Sequence, residues 1–148
     1  MNHRLEDSII VQAPIEDVWE YYTDVKNISK MTLPQLGMKV VKAEVPLRKN
    51  SRVRFRLQPP GIPFPIYWDA QIVEFEKPNR FVDKQIKGPF SRWIHEHQFK
   101  KIDEQRTKVT DTIELQGMTG LLSSIGSSFL IGSRLEVLFD HRTHVLDQ

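Results

Sequence analysis

The side chains best suited to chemistry in this chain lie in one short segment with the pattern Trp93-x-His95-x-His97-x-Phe99. Successive side chains of a β-strand point to opposite faces, so these four are expected to share one face. Two imidazoles beside large aromatic rings are unusual for a plain hydrophobic core and typical of the wall of a ligand pocket. The segment therefore predicts a strand that provides the polar part of an otherwise apolar cavity.

The two histidines also have the spacing of a metal-binding pair, because alternate strand residues can direct two imidazoles at one zinc ion. A third ligand would have to come from Asp111, Glu114 or His141, and no feature of the sequence selects one of them. The chain contains no cysteine, which excludes thiolate ligands, thiolate nucleophiles and disulfides. We therefore favour histidines that are hydrogen-bonded inside a pocket, and we expect neither a metal nor a cofactor.

A carboxylate interrupts the apolar pattern of the next predicted strand, Val109-x-Asp111-x-Ile113-x-Leu115. Burying a carboxylate is costly unless it is paired, and a histidine on the adjacent strand is the obvious partner. Such a pair can orient a general base or can be purely structural, and both roles stay open. The strand register decides whether Asp111 or Glu114 faces the histidines, and the sequence does not fix that register.

Several classes of function receive no support from the sequence. A nucleophile elbow of the Gly-x-Ser-x-Gly type and a glycine-rich phosphate loop are both missing. The net charge of +2, from 21 basic and 19 acidic residues, gives no reason to expect nucleic acid as a partner. Arg52, Arg54 and Arg56 form a stripe on one strand face. The stripe could be a docking patch for an acidic partner or anionic lipid headgroups, but we interpret it as the solvated side of an amphipathic strand.

The sequence also bears on the compartment in which the protein works. The first eleven residues lack the pattern of a signal peptide. No run of residues approaches the roughly 20 apolar positions of a membrane span. We therefore expect a cytoplasmic protein with no membrane span.

The order of predicted elements indicates an α+β fold, in a chain whose 148 residues suit one domain. A strand over residues 5–12 is followed by a helix that begins at Pro14 and a second short helix over residues 25–31. A long final helix is predicted over residues 119–144. Strands are predicted at residues 38–45, 52–57, 67–76, 81–86, around Trp93 and at 107–115.

Four segments resemble one known superfamily. They are residues 10–19 (IVQAPIEDVW), the turn at 75–81 (FEKPNRF), the run 88–99 that contains both histidines, and residues 138–142 (LFDHR). Together they resemble the START-like, Bet v 1-like (SRPBCC) superfamily, which includes polyketide cyclases and dehydrases, and within it a bacterial subgroup of uncharacterised members. The resemblance implies one START-like domain over residues 1–148, a helix-grip fold in which a curved seven-stranded antiparallel sheet surrounds a long C-terminal helix, with two short helices after the first strand.

The resemblance does not select an activity, because the superfamily hosts carriers, cyclases, hydrolases, oxygenase domains and chaperone activators. We favour binding of a hydrophobic small molecule or lipid between the sheet and the final helix, by a monomer or weak homodimer. The alternatives are a cyclase or dehydrase that uses pocket histidines and carboxylates, and an interaction module of the chaperone-activator kind. The predicted ligand-binding residues are Phe55, Trp68, Trp93, His95, His97, Phe99, Asp111, Ile113 and Phe129.

Overall fold

A computed structural model describes residues 2–28, 37–58 and 61–118 of the chain. Seven strands form one antiparallel sheet in the order β1-β7-β6-β5-β4-β3-β2. The elements are β1 (Asn2–Val11), α1 (Ile15–Thr23), a 3-10 helix (Val25–Asn27), β2 (Lys39–Ala43), β3 (Arg52–Leu57), β4 (Ile66–Glu76), β5 (Arg80–Lys87), β6 (Phe90–Asp103) and β7 (Arg106–Met118). Strands β2 to β7 form a continuous meander, and the first strand pairs with the last.

The seven-stranded antiparallel sheet and the helix after the first strand confirm these parts of the predicted α+β fold. The second short helix, predicted over residues 25–31, is a single 3-10 turn over Val25–Asn27 in the part that the structure describes. The side chain of Asp24 accepts a hydrogen bond from the backbone N–H of Lys26, which closes this turn locally. The predicted C-terminal helix lies outside the described residues, and so do Phe129 and His141.

Helix α1 packs against one end of one face of the sheet. We call this face the inner face and the opposite one the outer face. Pro14 lies immediately before it with φ −61°, and Glu16 and Asp17 occupy the first turn, where the helix dipole favours carboxylates. Its buried side chains, Ile15, Val18, Trp19 and Tyr22, have the spacing of one face of a helix. The Trp19 ring packs edge-on against the rings of Phe75, Phe81 and Phe99, with centroids 5.1, 5.7 and 5.6 Å away.

Strand register determines which side chains meet on the inner face. Residues directly opposite each other in an antiparallel pair point to the same side of the sheet. A bulge in β4 between Ile72 and Glu74 keeps Phe75 on the inner face, beside Trp19. Two rows of opposed residues cross the middle of the sheet, Asp7–Asp111–His97–Phe81 and Leu5–Ile113–His95–Asp83.

The helices of the described residues are also short. None of them is both long enough and apolar enough to cross a lipid bilayer.

Candidate functional site

Two histidines and two aspartates form a hydrogen-bonded cluster at the centre of the inner face. His95 Nε2 lies 2.7 Å from Asp111 Oδ1, and His97 Nε2 lies 2.8 Å from Asp83 Oδ2. The two imidazole rings stack with centroids 3.7 Å apart and an interplanar angle of 26°. His97 Nδ1 also lies 3.2 Å from Asp111 Oδ1, so one carboxylate oxygen approaches both rings. We call these four residues the His–Asp cluster.

The register selects Asp111, and not Glu114, as the carboxylate that contacts the histidines. Asp111 lies directly opposite His97, and its side chain is only 5% exposed. Glu114 lies opposite Ile94 on the outer face and is exposed. Asp7 of β1 lies directly opposite Asp111 and adds another carboxylate to the same row.

The sequence analysis missed Asp83, which lies opposite His95 on β5. The available signal was its position in the predicted strand 81–86, two residues after Phe81 and therefore on the same face. Using that signal would have required the register between β5 and β6, which are joined by the turn at Gly88 and Pro89. The cluster consequently has two carboxylates where the sequence analysis expected one.

The two histidines have pKa values displaced in opposite directions. Burial lowers the pKa of His95, and the neighbouring His97 lowers it further, against the opposing effect of Asp111. Burial alone would also lower the pKa of His97, but the combined approach of Asp111 and Asp83 outweighs burial and raises it. At about pH 6.5, the ordinary pKa of histidine, His97 is therefore mostly protonated and His95 mostly neutral.

Asp111 fixes the tautomer of the neutral His95. An ionised carboxylate can only accept hydrogen bonds, so His95 Nε2 must carry the proton that it shares with Asp111. The lone pair of the ring is then on Nδ1. Among the described residues none hydrogen-bonds to His95 Nδ1, and the side chain remains 12% exposed. His95 therefore offers a hydrogen-bond acceptor that is also a possible proton acceptor.

Aromatic rings flank the cluster on both sides. Phe81 stacks on His97, with centroids 4.1 Å apart and an interplanar angle of 13°. On the other side Trp93 lies edge-on to His95 at 6.4 Å, and Trp68 lies edge-on to Trp93 at 4.9 Å. Phe90 lies 4.9 Å from Trp93 and completes an aromatic group that the sequence analysis named only in part.

The remaining predicted site residues lie on the same face but in different surroundings. Phe55 is half-buried directly opposite Trp68. Ile113 lies directly opposite His95 and is 1% exposed. Phe99 packs against Trp19 and Tyr22 of α1, with ring centroids 5.6 and 5.1 Å away. The predicted role of these residues in ligand binding stays a prediction.

Asp83, His95 and His97 are also close enough together to be considered as metal ligands. One ligand atom from each lies within 4.8 Å of the others. However, Asp83 Oδ2 and His97 Nε2 are already hydrogen-bonded to each other, so a metal ion bound by those two atoms would have to replace that bond. The geometry is that of two hydrogen-bonded His–Asp pairs.

Comparison with solved structures shows the same fold in proteins of distant sequence. The aromatase/cyclase Zhui from Streptomyces sp. R1128 superposes with a TM-score of 0.71 at 16% identity, over 99% of this chain and 92% of that one. Norcoclaurine synthase from Thalictrum flavum, in complex with dopamine and hydroxybenzaldehyde, gives a TM-score of 0.68 at 11% identity, over 99% and 87%. The protein TTHA0849 from Thermus thermophilus gives 0.65 at 20% identity, over 97% of both chains.

These likenesses confirm the START-like, Bet v 1-like fold that the sequence resemblance implies. No curated protein matches the chain in sequence. The model of one protein family, described as a domain of unknown function (DUF8410), matches residues 9–148. The chain therefore belongs to the DUF8410 family.

Proposed function

We propose that the inner face of the sheet binds a hydrophobic small molecule and holds one polar group of that molecule through the His–Asp cluster. The observation that carries this proposal is the position of the cluster. Four ionisable side chains lie at the centre of a face whose other described positions are largely aromatic and aliphatic.

The energetic cost of the cluster supports a functional role. Burying charged groups carries a desolvation penalty, and well-packed apolar residues in place of a buried ion pair often leave a protein equally or more stable. Neighbouring positions of the same rows hold Leu5, Ile113 and Phe81, so apolar side chains are already accommodated there. A costly polar cluster in such surroundings is typical of a binding or catalytic site.

The chemistry of His95 indicates which polar group the ligand carries. Because Nδ1 is an acceptor, the complementary ligand group is a donor, such as a phenol or enol hydroxyl. Trp93 and Trp68 offer aromatic surface beside it, and apolar burial contributes roughly 25 cal/mol per Å² before the costs of binding. The structure of norcoclaurine synthase holds hydroxylated aromatic molecules in the same fold, which supports this class by analogy.

Acid–base catalysis on such a ligand is the second candidate. Its support is the opposite displacement of the two histidine pKa values, since acid and base roles arise where environments separate the pKa values of neighbouring groups. A neutral His95 oriented by Asp111 would accept the proton of the ligand hydroxyl or of an adjacent acidic C–H bond. The aromatase/cyclase Zhui shares the fold, which is again support by analogy.

A matched pair of probes tests the binding proposal. 2-Naphthol and naphthalene differ only in the hydroxyl group, and their affinities are measured by quenching of tryptophan fluorescence. We expect 2-naphthol to bind about 2- to 10-fold more tightly, corresponding to roughly 0.5–1.5 kcal/mol for one net hydrogen bond. The His95→Phe variant should lose this preference, whereas Glu114→Gln on the outer face should retain it. Equal affinities in the wild type, or an unchanged preference in His95→Phe, would contradict the proposal.

A further inference from the structure

The outer face of the sheet carries a group of basic side chains that spans four strands, β2 to β5. Register places them in three rows of opposed residues, Lys39–Arg56–Tyr67, Lys42–Arg54–Asp69–Lys87 and Arg52–Gln71–Lys84. Glu44 follows β2 and accepts a hydrogen bond from the backbone N–H of Arg52. We call these residues together the basic patch.

The small net charge of the whole chain does not reveal how strongly positive the basic patch is. It contains seven basic and two acidic side chains, a formal charge of +5. The whole chain has a net charge of +2, so the remainder carries −3. A surface of one predominant sign attracts anionic partners and concentrates them locally.

Two pairs within the basic patch place like charges directly opposite each other. Lys39 lies opposite Arg56, and Lys42 lies opposite Arg54. Directly opposed like charges destabilise an antiparallel pair. Within the described residues, Arg54 is the one cation of the patch that forms an ion pair, at 2.8 Å to Asp69. The other six cations of the patch form no ion pair within the described residues, so most of its positive charge is not neutralised by the protein itself.

Exposed apolar side chains lie on or next to the same strands. Val41 is 52% exposed and lies at the bulge of β2 beside Lys42. Tyr67, 48% exposed, shares a row with two of the cations. Ile86, 45% exposed, precedes Lys87, and Phe64, 43% exposed, lies just before β4.

This mixture distinguishes between classes of anionic partner. Nucleic acid recognition uses cations and stacked aromatic rings but has no need of exposed aliphatic side chains. At a bilayer surface, cations contact anionic headgroups while neighbouring apolar side chains enter the boundary with the acyl chains. We propose that the basic patch docks this protein onto a membrane surface that contains anionic lipids.

Co-sedimentation of the full chain with lipid vesicles tests this proposal. The vesicles are phosphatidylcholine alone, or phosphatidylcholine mixed with phosphatidylglycerol. We expect binding to the anionic vesicles only, weakening as salt screens the charges. Each cation near an anionic surface contributes about 1 kcal/mol, so the double variant Lys39→Gln/Arg56→Gln should bind about 30-fold more weakly.

The chain offers a closely matched control for this variant. Lys100 and Lys108 also lie directly opposite each other on the outer face, but on β6 and β7. The variant Lys100→Gln/Lys108→Gln removes the same charge from the same kind of pair and should bind as the wild type does. Circular dichroism of both variants establishes that they are folded.

Three results would overturn the proposal. One is the absence of binding to anionic vesicles at low salt, and another is an equal loss of binding in both double variants. The third is binding to heparin or poly-glutamate with no binding to vesicles, which would assign the basic patch to an acidic macromolecule instead of a membrane.

Discussion

His95 and His97 stack with their ring centroids 3.7 Å apart, yet one pKa is lowered and the other raised. The difference arises from their carboxylates. His97 lies between Asp83 and Asp111, whereas His95 contacts Asp111 alone and faces a cationic neighbour. Of the two stacked rings, His97 is therefore the one that carries the extra proton. His95 stays neutral and keeps a hydrogen-bond acceptor at Nδ1.

This division predicts a maximum of stability near pH 6.5. Because the pKa of His97 is raised in the folded protein, its contribution to stability is fully present below about pH 6.5. That contribution is lost as the pH rises through the folded-state pKa of His97. Because the pKa of His95 is lowered in the folded protein, stability is lost as the pH falls from about 6.5 through that folded-state pKa. Urea unfolding from about pH 5 to about pH 8 measures both effects.

Two variants separate the two limbs of that profile. His97→Gln should reduce the loss of stability on the alkaline side, and His95→Gln should reduce it on the acidic side. Profiles of both variants that parallel the wild type would show that other groups cause the dependence.

The two aspartates are expected to differ in their contribution to stability. Asp111 is 5% exposed and approaches both histidines, whereas Asp83 is 21% exposed and contacts His97. Removing one partner of a buried pair costs about 3–5 kcal/mol, so Asp111→Ala should lower the free energy of unfolding by about that amount. Asp83→Ala should cost less, and Glu114→Ala on the outer face should change it by about 0.5 kcal/mol or less. The reverse order of Asp111 and Asp83 in chemical denaturation would contradict the geometry.

A side-chain clamp at the β5–β6 turn should make Gly88 sensitive to substitution. Gln85 Nε2 donates to Phe90 O at 2.6 Å, and the Phe90 N–H donates to Gln85 Oε1 at 3.2 Å. A Cβ atom on Gly88 would lie 2.5 Å from Gln85 Oε1 and 3.1 Å from Trp68 Cδ1. Gly88→Ala should therefore displace Gln85, destabilise the protein by about 1–3 kcal/mol and shift the tryptophan emission.

A double-mutant cycle isolates that contact. In a Gln85→Ala background the same Gly88→Ala substitution should cost clearly less, because the clashing amide has been removed. An equal cost in both backgrounds would assign the effect to the backbone of the turn.

Zinc provides a test of the hydrogen-bonded state of the cluster. Zinc would have to break the hydrogen bond between Asp83 and His97, two of the three candidate ligands, so added zinc should leave the Tm unchanged at neutral pH. A rise in Tm with one zinc ion per chain, abolished by His95→Phe, would show that Asp83, His95 and His97 form a metal centre.

Side-chain alternation alone was sufficient to predict part of this site. The period of two along a strand places Trp93, His95 and His97 on one face, and the structure has them there. The helical spacing of Val18, Trp19 and Tyr22 likewise predicts one face of α1, and these side chains are buried in the structure.

The strand register and the cross-strand partners of the histidines could not be predicted from the sequence. The choice between Asp111 and Glu114 depends on how the β6–β7 hairpin is aligned, and a shift of one residue would exchange them. Asp83 is recognised as a member of the cluster only from its pairing with His95 across the β5–β6 turn. The basic patch was recognised only as three arginines, because Lys39 and Lys42 join them through the bulged β2–β3 pairing.

Nitrogen-15 NMR of histidine-labelled protein tests the central claim most directly, because it reports the protonation of each ring nitrogen. In the free protein we expect a neutral His95 with the proton on Nε2 and the lone pair on Nδ1. Addition of 2-naphthol should shift the His95 Nδ1 resonance in the direction of hydrogen bonding, and naphthalene should not. A protonated His95 near pH 6.5, or an Nδ1 resonance that responds equally to both molecules, would contradict the account.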